Sequence, residues 1–200
     1  MYPGVILAGG SARRLGGNGK AFIEIARVPL IQHTIKSFKS QVDYLAINSR
    51  DSKIFSDFDF PVIKDGLVEN GGSGPLAGIS SAIKWAKTLS KPNTHVAIVP
   101  VDTPFLPNDL IRRMSLDLSM SNADIVMASS NNNIHPVIGL WSLALDSDLD
   151  KSLHEGIRKI DAFSSLFNVS VVDWSFDRID PFFNINRPDD IVLAEKYINC

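Results

Sequence analysis

Along the first two thirds of the chain, short blocks of consecutive apolar residues alternate with segments in which apolar positions recur every three or four residues. The blocks beginning at Val5 and at residues 44–48, 61–64, 95–99 and 124–128 read as strands. The block at 95–99 is apolar nearly throughout, as a parallel strand covered on both faces should be. Between the blocks lie helical patterns: Ile35 and Phe38 after Pro29-Leu30-Ile31, with proline in the first turn; Leu76, Ile79, Ile83 and Ala86; and Leu110, Ile111, Met114 and Leu118 within 107–118. Repeated strand, loop and helix predicts an α/β fold with right-handed crossovers and a mainly parallel sheet, whose ligands bind beyond the carboxyl ends of the strands.

From Ser129 the pattern changes. A polar stretch at 129–133 precedes a strand at 136–141, helical material to Leu153 and again at 161–167, a strand at 169–174 and a helix opened by Pro188-Asp189-Asp190. No linker or repeat sets this part apart, so it reads as an elaboration on the same sheet that forms the far wall of a cleft. A chain of 200 residues suits one domain.

The strand ends carry the candidate chemistry. The first runs into Leu7-Ala8-Gly9-Gly10-Ser11-Ala12-Arg13-Arg14-Leu15-Gly16-Gly17-Asn18-Gly19-Lys20, a loop whose glycines and cations can present N–H groups and positive charge to a polyphosphate. It is not a P-loop, because Arg14 and Ala21 stand where that motif needs glycine and a hydroxyl. It is not the dinucleotide fingerprint either, because Ser11 and Ala12 occupy the second-glycine positions of the two registers. Asn48, Asp65 and Asp102 end later strands on the same edge, and a second glycine loop, 71–74, leads into a helix amino terminus suited to an anion. Together these suggest a site for a nucleoside triphosphate and Mg²⁺, an ion commonly held by one or two carboxylates plus phosphate oxygens. Attack at the α-phosphorus would then expel pyrophosphate without a covalent nucleophile.

Composition narrows the partners. The net charge is −2 and basic residues are scattered beyond the first loop, which argues against nucleic acid and anionic lipid. No apolar run approaches membrane-spanning length and no leader is evident, so the expectation is a cytoplasmic protein acting on small molecules. The sole cysteine, Cys200, rules out an internal disulfide and a cysteine zinc cluster.

Leu7-Ala8-Gly9-Gly10 with Arg13-Arg14 and Lys20, Gly74-Pro75-Leu76-Ala77-Gly78, Pro100-Val101-Asp102-Thr103-Pro104, and Asn184-Ile185-Asn186 before Pro188 resemble the molybdenum cofactor guanylyltransferases, the MobA family, in order over nearly the whole chain. The resemblance implies a Rossmann-like three-layer sandwich, with 1–128 as the nucleotide-binding part and 129–200 as the acceptor-binding elaboration of one domain. It implies transfer of GMP from Mg·GTP to the terminal phosphate of molybdenum-molybdopterin, with cofactor-delivery or acceptor proteins as further partners. Carried over position by position, Leu7, Ala8, Gly9, Gly10, Asn48 and Asp65 would contact the nucleotide, Lys20 with Arg14 its phosphates, and Asp102 both GTP and Mg²⁺. Gly74 and Gly78 would lie near the cleft, and His135-Pro136, Asn184 and Asn186 on the pterin side.

The chain departs from the family pattern at Gly19, where aspartate is usual, and at Arg187, where threonine is usual. The second change removes a helix cap worth ~1 kcal/mol, which Asn186 would partly replace. Competing readings give Asp102 as a cap of a helix starting near Pro104, Asn48 and Asp65 as turn residues, His135 as a structural histidine, and Arg158-Lys159 as either a solvated pair or a contact for the pterin phosphate. The rival functions are a cytidylyl- or sugar-phosphate nucleotidyltransferase, and a non-catalytic GTP- or cofactor-binding protein.

Overall fold

A computed structural model describes residues 1–9, 19–64 and 74–198. In chain order the elements are β1 (Gly4–Leu7), β2 (Glu24–Ile25), β3 (Val28–Pro29), α1 (Leu30–Phe38), β4 (Leu45–Asn48), β5 (Val62–Ile63), α2 (Pro75–Lys87), β6 (His95–Pro100) and α3 (Leu110–Ser121). They continue with β7 (Ile125–Ser130), β8 (Asn133–Ser142), α4 (Asp146–His154), α5 (Ile160–Ser164), β9 (Val169–Trp174) and α6 (Pro188–Ile198). Strands β2 and β3 form a separate small hairpin; the other seven form one sheet in the order β5-β4-β1-β6-β8-β7-β9. Only β8 runs against its neighbours, so the sheet is mainly parallel with helices on both faces, as the apolar blocks predict.

Alternation along the central strands explains the three layers. Ile6, Ala97, Val99, Val126 and Ala128 pack with Ile31, Phe38 and Met114 on one face. Their chain neighbours Val5, Val96, Ile98, Ile125 and Met127 pack with Ile79, Ile83, Leu149 and Phe163 on the other. Successive side chains of a strand point to opposite faces, so continuous apolar runs serve both cores.

The polar stretch after residue 128 is not a loop. β7 continues through Ser130, and only Asn131 and Asn132, at φ 47° and 61°, make the turn into β8. One of the two favoured two-residue hairpin turns, type I′, needs positive φ at both positions, which asparagine tolerates. Residue 128 therefore lies inside β7. The pairing of β7 with β8 shifts register between Met127 and Ala128, and residues 136–138 fall in that irregularity. Pro136, which has no N–H to donate, fits there and not within a regular ladder.

The helix of 107–118 begins later, at Leu110, and Pro29 stands at the N-cap of α1 and not within its first turn. At the opposite end of the sheet from the strand ends that carry the candidate chemistry, burial pushes the imidazole of His95 below its ordinary value of 6.5, against the pull of the Ala123 backbone and Asp124. His135 is lowered in the same sense. Between the depressed value and 6.5 the unfolded chain binds more protons than the folded one, so stability falls as pH drops through that window. The melting temperature should decline on going from roughly pH 7 to roughly pH 5, and the decline should be shallower in His95→Phe. An unchanged slope in that variant would assign the acid sensitivity elsewhere.

Candidate active site

The site forms where parallel strands end level. Leu7 is opposite Asn48 on one side and Pro100 on the other, and Asn48 is opposite Ile63. The backbone there is already bonded: Ala8 N–H donates to the Asn48 carbonyl at 2.8 Å, and Val101 N–H to the Leu7 carbonyl at 3.0 Å. Leu7 and Gly9 line the cleft, whereas the Ala8 side chain is buried in the core on the α1 face. Asn48 is also buried, lines the cleft and donates from Nδ2 to the Ile63 carbonyl at 3.3 Å.

The Lys20 ammonium is the meeting point of three segments. It donates to Asp102 Oδ2, to Asn184 Oδ1 at 3.3 Å and to Asn186 Oδ1. Packing of Ile25 and Leu30 with Ile185 and Ala194 joins the chain after Lys20 to the segment around Asn184. The Ile185 N–H donates to the Asp102 carbonyl at 2.9 Å, which ties that segment to the end of β6. Gly19, immediately before Lys20, has φ +115°. That is a conformation open to glycine and strained for the family's usual aspartate, so the departure has a local physical reason.

Asp102 caps no helix, since α3 starts only at Leu110. Its Oδ1 is buried and has no hydrogen-bond partner among the described residues, while Oδ2 meets Lys20. No cluster of three or more acidic, histidine or cysteine side chains occurs among the described residues. A single carboxylate with one oxygen left open by the described residues nevertheless fits Mg²⁺, an ion that commonly takes its remaining ligands from phosphate and water.

These groups border a cavity of about 620 Å³. Gly74, Pro75 and Gly78, from the first turns of α2, line it beside Leu7 and Asn48. On the β8 side it is lined by residues 134–138, Asp180, Phe182 and Phe183. Gly10, Arg13, Arg14 and Asp65 lie outside the described residues. Asn186 reaches the site through Lys20 and not through the cavity wall. Arg158 donates from Nη1 to the Leu153 and Ile157 carbonyls at 2.6 and 3.0 Å, holding the chain after α4.

Sequence reasoning missed Arg50, Asp180, Phe182 and Phe183 as cavity residues. A polar residue just beyond the strand end at Asn48, and an acid four residues before Asn184, were the available signals. The helix start after Arg187 is also organised differently from expectation. The Asn186 side chain is engaged by Lys20, and Asp190 Oδ2 instead accepts the N–H groups of Asn186 and Arg187, both at 2.8 Å. That carboxylate supplies the reciprocal half of a capping box, bonding back to the N–H groups just ahead of the helix from its third residue.

A profile of the MobA-like NTP transferase domain matches residues 4–168. A molybdenum cofactor guanylyltransferase of Rhodopseudomonas palustris is 39% identical over 97% of this chain and 92% of its own length. One from Shewanella piezotolerans is 38% identical over 92% of this chain and 87% of its own. Among solved structures, molybdopterin-guanine dinucleotide biosynthesis protein A of Archaeoglobus fulgidus superposes with a TM-score of 0.80 at 21% identity, covering 99% of each chain. The 4-diphosphocytidyl-2C-methyl-D-erythritol synthase of Anaerococcus prevotii superposes with a TM-score of 0.73 at 15% identity, covering 100% of this chain and 96% of its own.

Gly78 shows how tightly α2 is set against the strand ends. A Cβ there would lie 2.9 Å from Asn48 Oδ1 and 3.2 Å from Leu7 Cδ2. Gly78→Ala should displace Asn48 or the helix and cost about 1–3 kcal/mol, read as a lowered melting temperature. An unchanged melting temperature would mean that the Asn48 amide moves aside freely.

Proposed function

The chain belongs to the MobA-like NTP transferase family, and we propose that within it the protein is a molybdenum cofactor guanylyltransferase, moving GMP from GTP to the terminal phosphate of molybdenum-molybdopterin. The observation that carries the reading is the convergence of Lys20, Asp102, Asn184 and Asn186 at a cleft of about 620 Å³ beyond the strand ends. The names of relatives aligned over nearly the whole chain supply the substrates.

In the proposed reaction an oxygen of the acceptor phosphate attacks the α-phosphorus of GTP. The bond from that phosphorus to the oxygen bridging to the β-phosphorus breaks, and pyrophosphate leaves. No side chain needs to form a covalent bond, so the protein acts by position and charge. Lys20 supplies an ammonium at the cleft, held in place by oxygen acceptors on Asp102, Asn184 and Asn186. Asp102 would hold Mg²⁺ through its open Oδ1, and the ion would neutralise phosphate charge when bound. Asn48, buried at the end of β4, lies on the nucleotide side beside Leu7 and Gly78. The sheet architecture is shared with a cytidylyl enzyme, so the base preference must rest on side chains and loops and not on the fold.

Pyrophosphate release in the presence of molybdenum-molybdopterin and Mg²⁺ should occur with GTP and not with CTP, ATP or UTP. Equal release with all four removes the guanine assignment. Asp102→Asn keeps size but removes the charge that meets Lys20, so the variant should fold with a lowered melting temperature and lose nearly all transfer. A folded variant with normal turnover across a range of Mg²⁺ concentrations would sink the metal role.

Lys20→Ala should slow turnover by ~10²-fold or more, as for the loss of one preorganised electrostatic contact. It should also lower the melting temperature, because Asp102 then loses the cation that meets it, with the two side chains only 12% and 14% exposed. Normal turnover and melting together would reduce the lysine to a bystander.

A further inference from the structure

The β8 side of the cleft carries a hydrogen-bonded chain that phosphoryl chemistry leaves unused. Ser130, fully buried at the end of β7, lies 2.8 Å from both carboxylate oxygens of Asp180 and donates to them. Its oxygen is 2.7 Å from Nε2 of His135. Asp180 is held from a second direction, since Oδ1 accepts the Phe182 N–H at 2.8 Å.

A hydroxyl has one proton, and a carboxylate accepts without donating. With the Ser130 proton directed to Asp180, the contact with His135 is a hydrogen bond only when Nε2 carries the hydrogen. Burial lowers the pKa of His135 against the pull of Asp180, which favours the neutral ring. A neutral ring protonated at Nε2 has its lone pair at Nδ1. The ring lines the cavity and packs against Phe182 at 4.9 Å between centroids. Nδ1 has no hydrogen bond to a described residue and is not sealed from solvent.

The geometry points to His135 as a specificity-determining residue for the acceptor: its Nδ1 lone pair accepts an N–H from the acceptor's heterocycle, and Ser130 and Asp180 are positioning residues that fix the tautomer. The identification of that heterocycle as a pterin rests on the guanylyltransferase reading. A pterin carries amino and ring N–H groups on its edge, and Ile134, Pro136 and Phe182 give the same wall the apolar character that suits a planar ring. A fixed acceptor favours such an edge and penalises a ring that offers only lone pairs there, because two acceptors would then face each other unpaired.

Nitrogen-15 NMR of the imidazole reads the tautomer without any substrate. The wild type should show hydrogen on Nε2, and Ser130→Ala a mixture; hydrogen on Nδ1 in the wild type overturns the assignment. Binding of molybdopterin, followed through its fluorescence, tests the recognition. His135→Asn keeps an amide oxygen near the Nδ1 position, whereas His135→Gln reaches towards Ser130 and leaves the cleft without an acceptor. The glutamine variant should bind molybdopterin about tenfold more weakly, the effect of one lost hydrogen bond, and the asparagine variant should stay within about threefold of the wild type. Neither should alter the rise in melting temperature produced by Mg·GTP. Equal losses in both variants, normal binding by the glutamine variant, or a wild type that does not bind molybdopterin each overturns the proposal. A wild type that binds molybdopterin but releases no pyrophosphate from GTP removes the transferase reading alone, and the tautomer and the two affinities still decide the role of His135.

Discussion

The Lys20 ammonium carries three protons and meets three side-chain oxygens, on Asp102, Asn184 and Asn186. Because the lysine and the aspartate are mostly withdrawn from water, their attraction offsets desolvation only when the geometry is held closely. Three segments far apart in sequence must therefore arrive at one point with little freedom. Asp102 gains that rigidity from β6, whose residues Val96 to Val99 are fully buried. Lys20 and the asparagines gain it from a small separate core, Ile25 and Leu30 against Ile185 and Ala194, reinforced by the bond from Ala26 N–H to Glu195 Oε1 at 3.0 Å. α6 and the β2–β3 hairpin thus serve the site although neither belongs to the sheet.

The large-scale arrangement was legible in the sequence because one physical signal dominates it. A strand covered on both faces must be apolar at every position, and that pattern is hard to produce by chance in β6. The chemistry at strand ends was legible for a related reason: a polar residue that follows such a run is delivered to the edge of the sheet, as Asn48 and Asp102 are. The pattern marks a strand at 136–141, within β8, but not its antiparallel place between β6 and β7, which depends on the long-range pairing with β6. The serines before the hairpin are polar residues that are nonetheless buried. Ser129 bonds Asp173 at 2.7 Å, and Ser130 bonds Asp180. Their partners lie 44 and 50 residues further on, so no local pattern marks them as interior.

The two departures from the family pattern make the same point at the scale of single residues. Read along the chain, Gly19 is the loss of an acid and Arg187 the loss of a cap. In space, the first is a backbone angle, and at the second Asp190 reaches back from the helix to bond the N–H groups of Asn186 and Arg187. Local sequence records which group is missing, whereas the fold determines whether its work is still done.

Asp102 and Asp180 line the same cavity and differ in what remains after the protein's own bonds are made. Asp180 has both oxygens engaged, by Ser130 and the Phe182 N–H. Asp102 gives one oxygen to Lys20 and keeps the other buried without a partner among the described residues. A buried carboxylate oxygen without a partner is costly, and a bound ion is one way to satisfy it. The charge of Asp180 is therefore turned inward to orient neutral groups, while that of Asp102 remains available to the ligand. Along the sheet, Asn48 and Gly78 stand on the β4 and β1 side, Asp102 follows β6, and His135 stands on β8. The Lys20–Asp102 pair thus stands between the Asn48 side and the His135 side of one cavity, which is where a reaction joining two phosphates that each carry a heterocycle needs its charge.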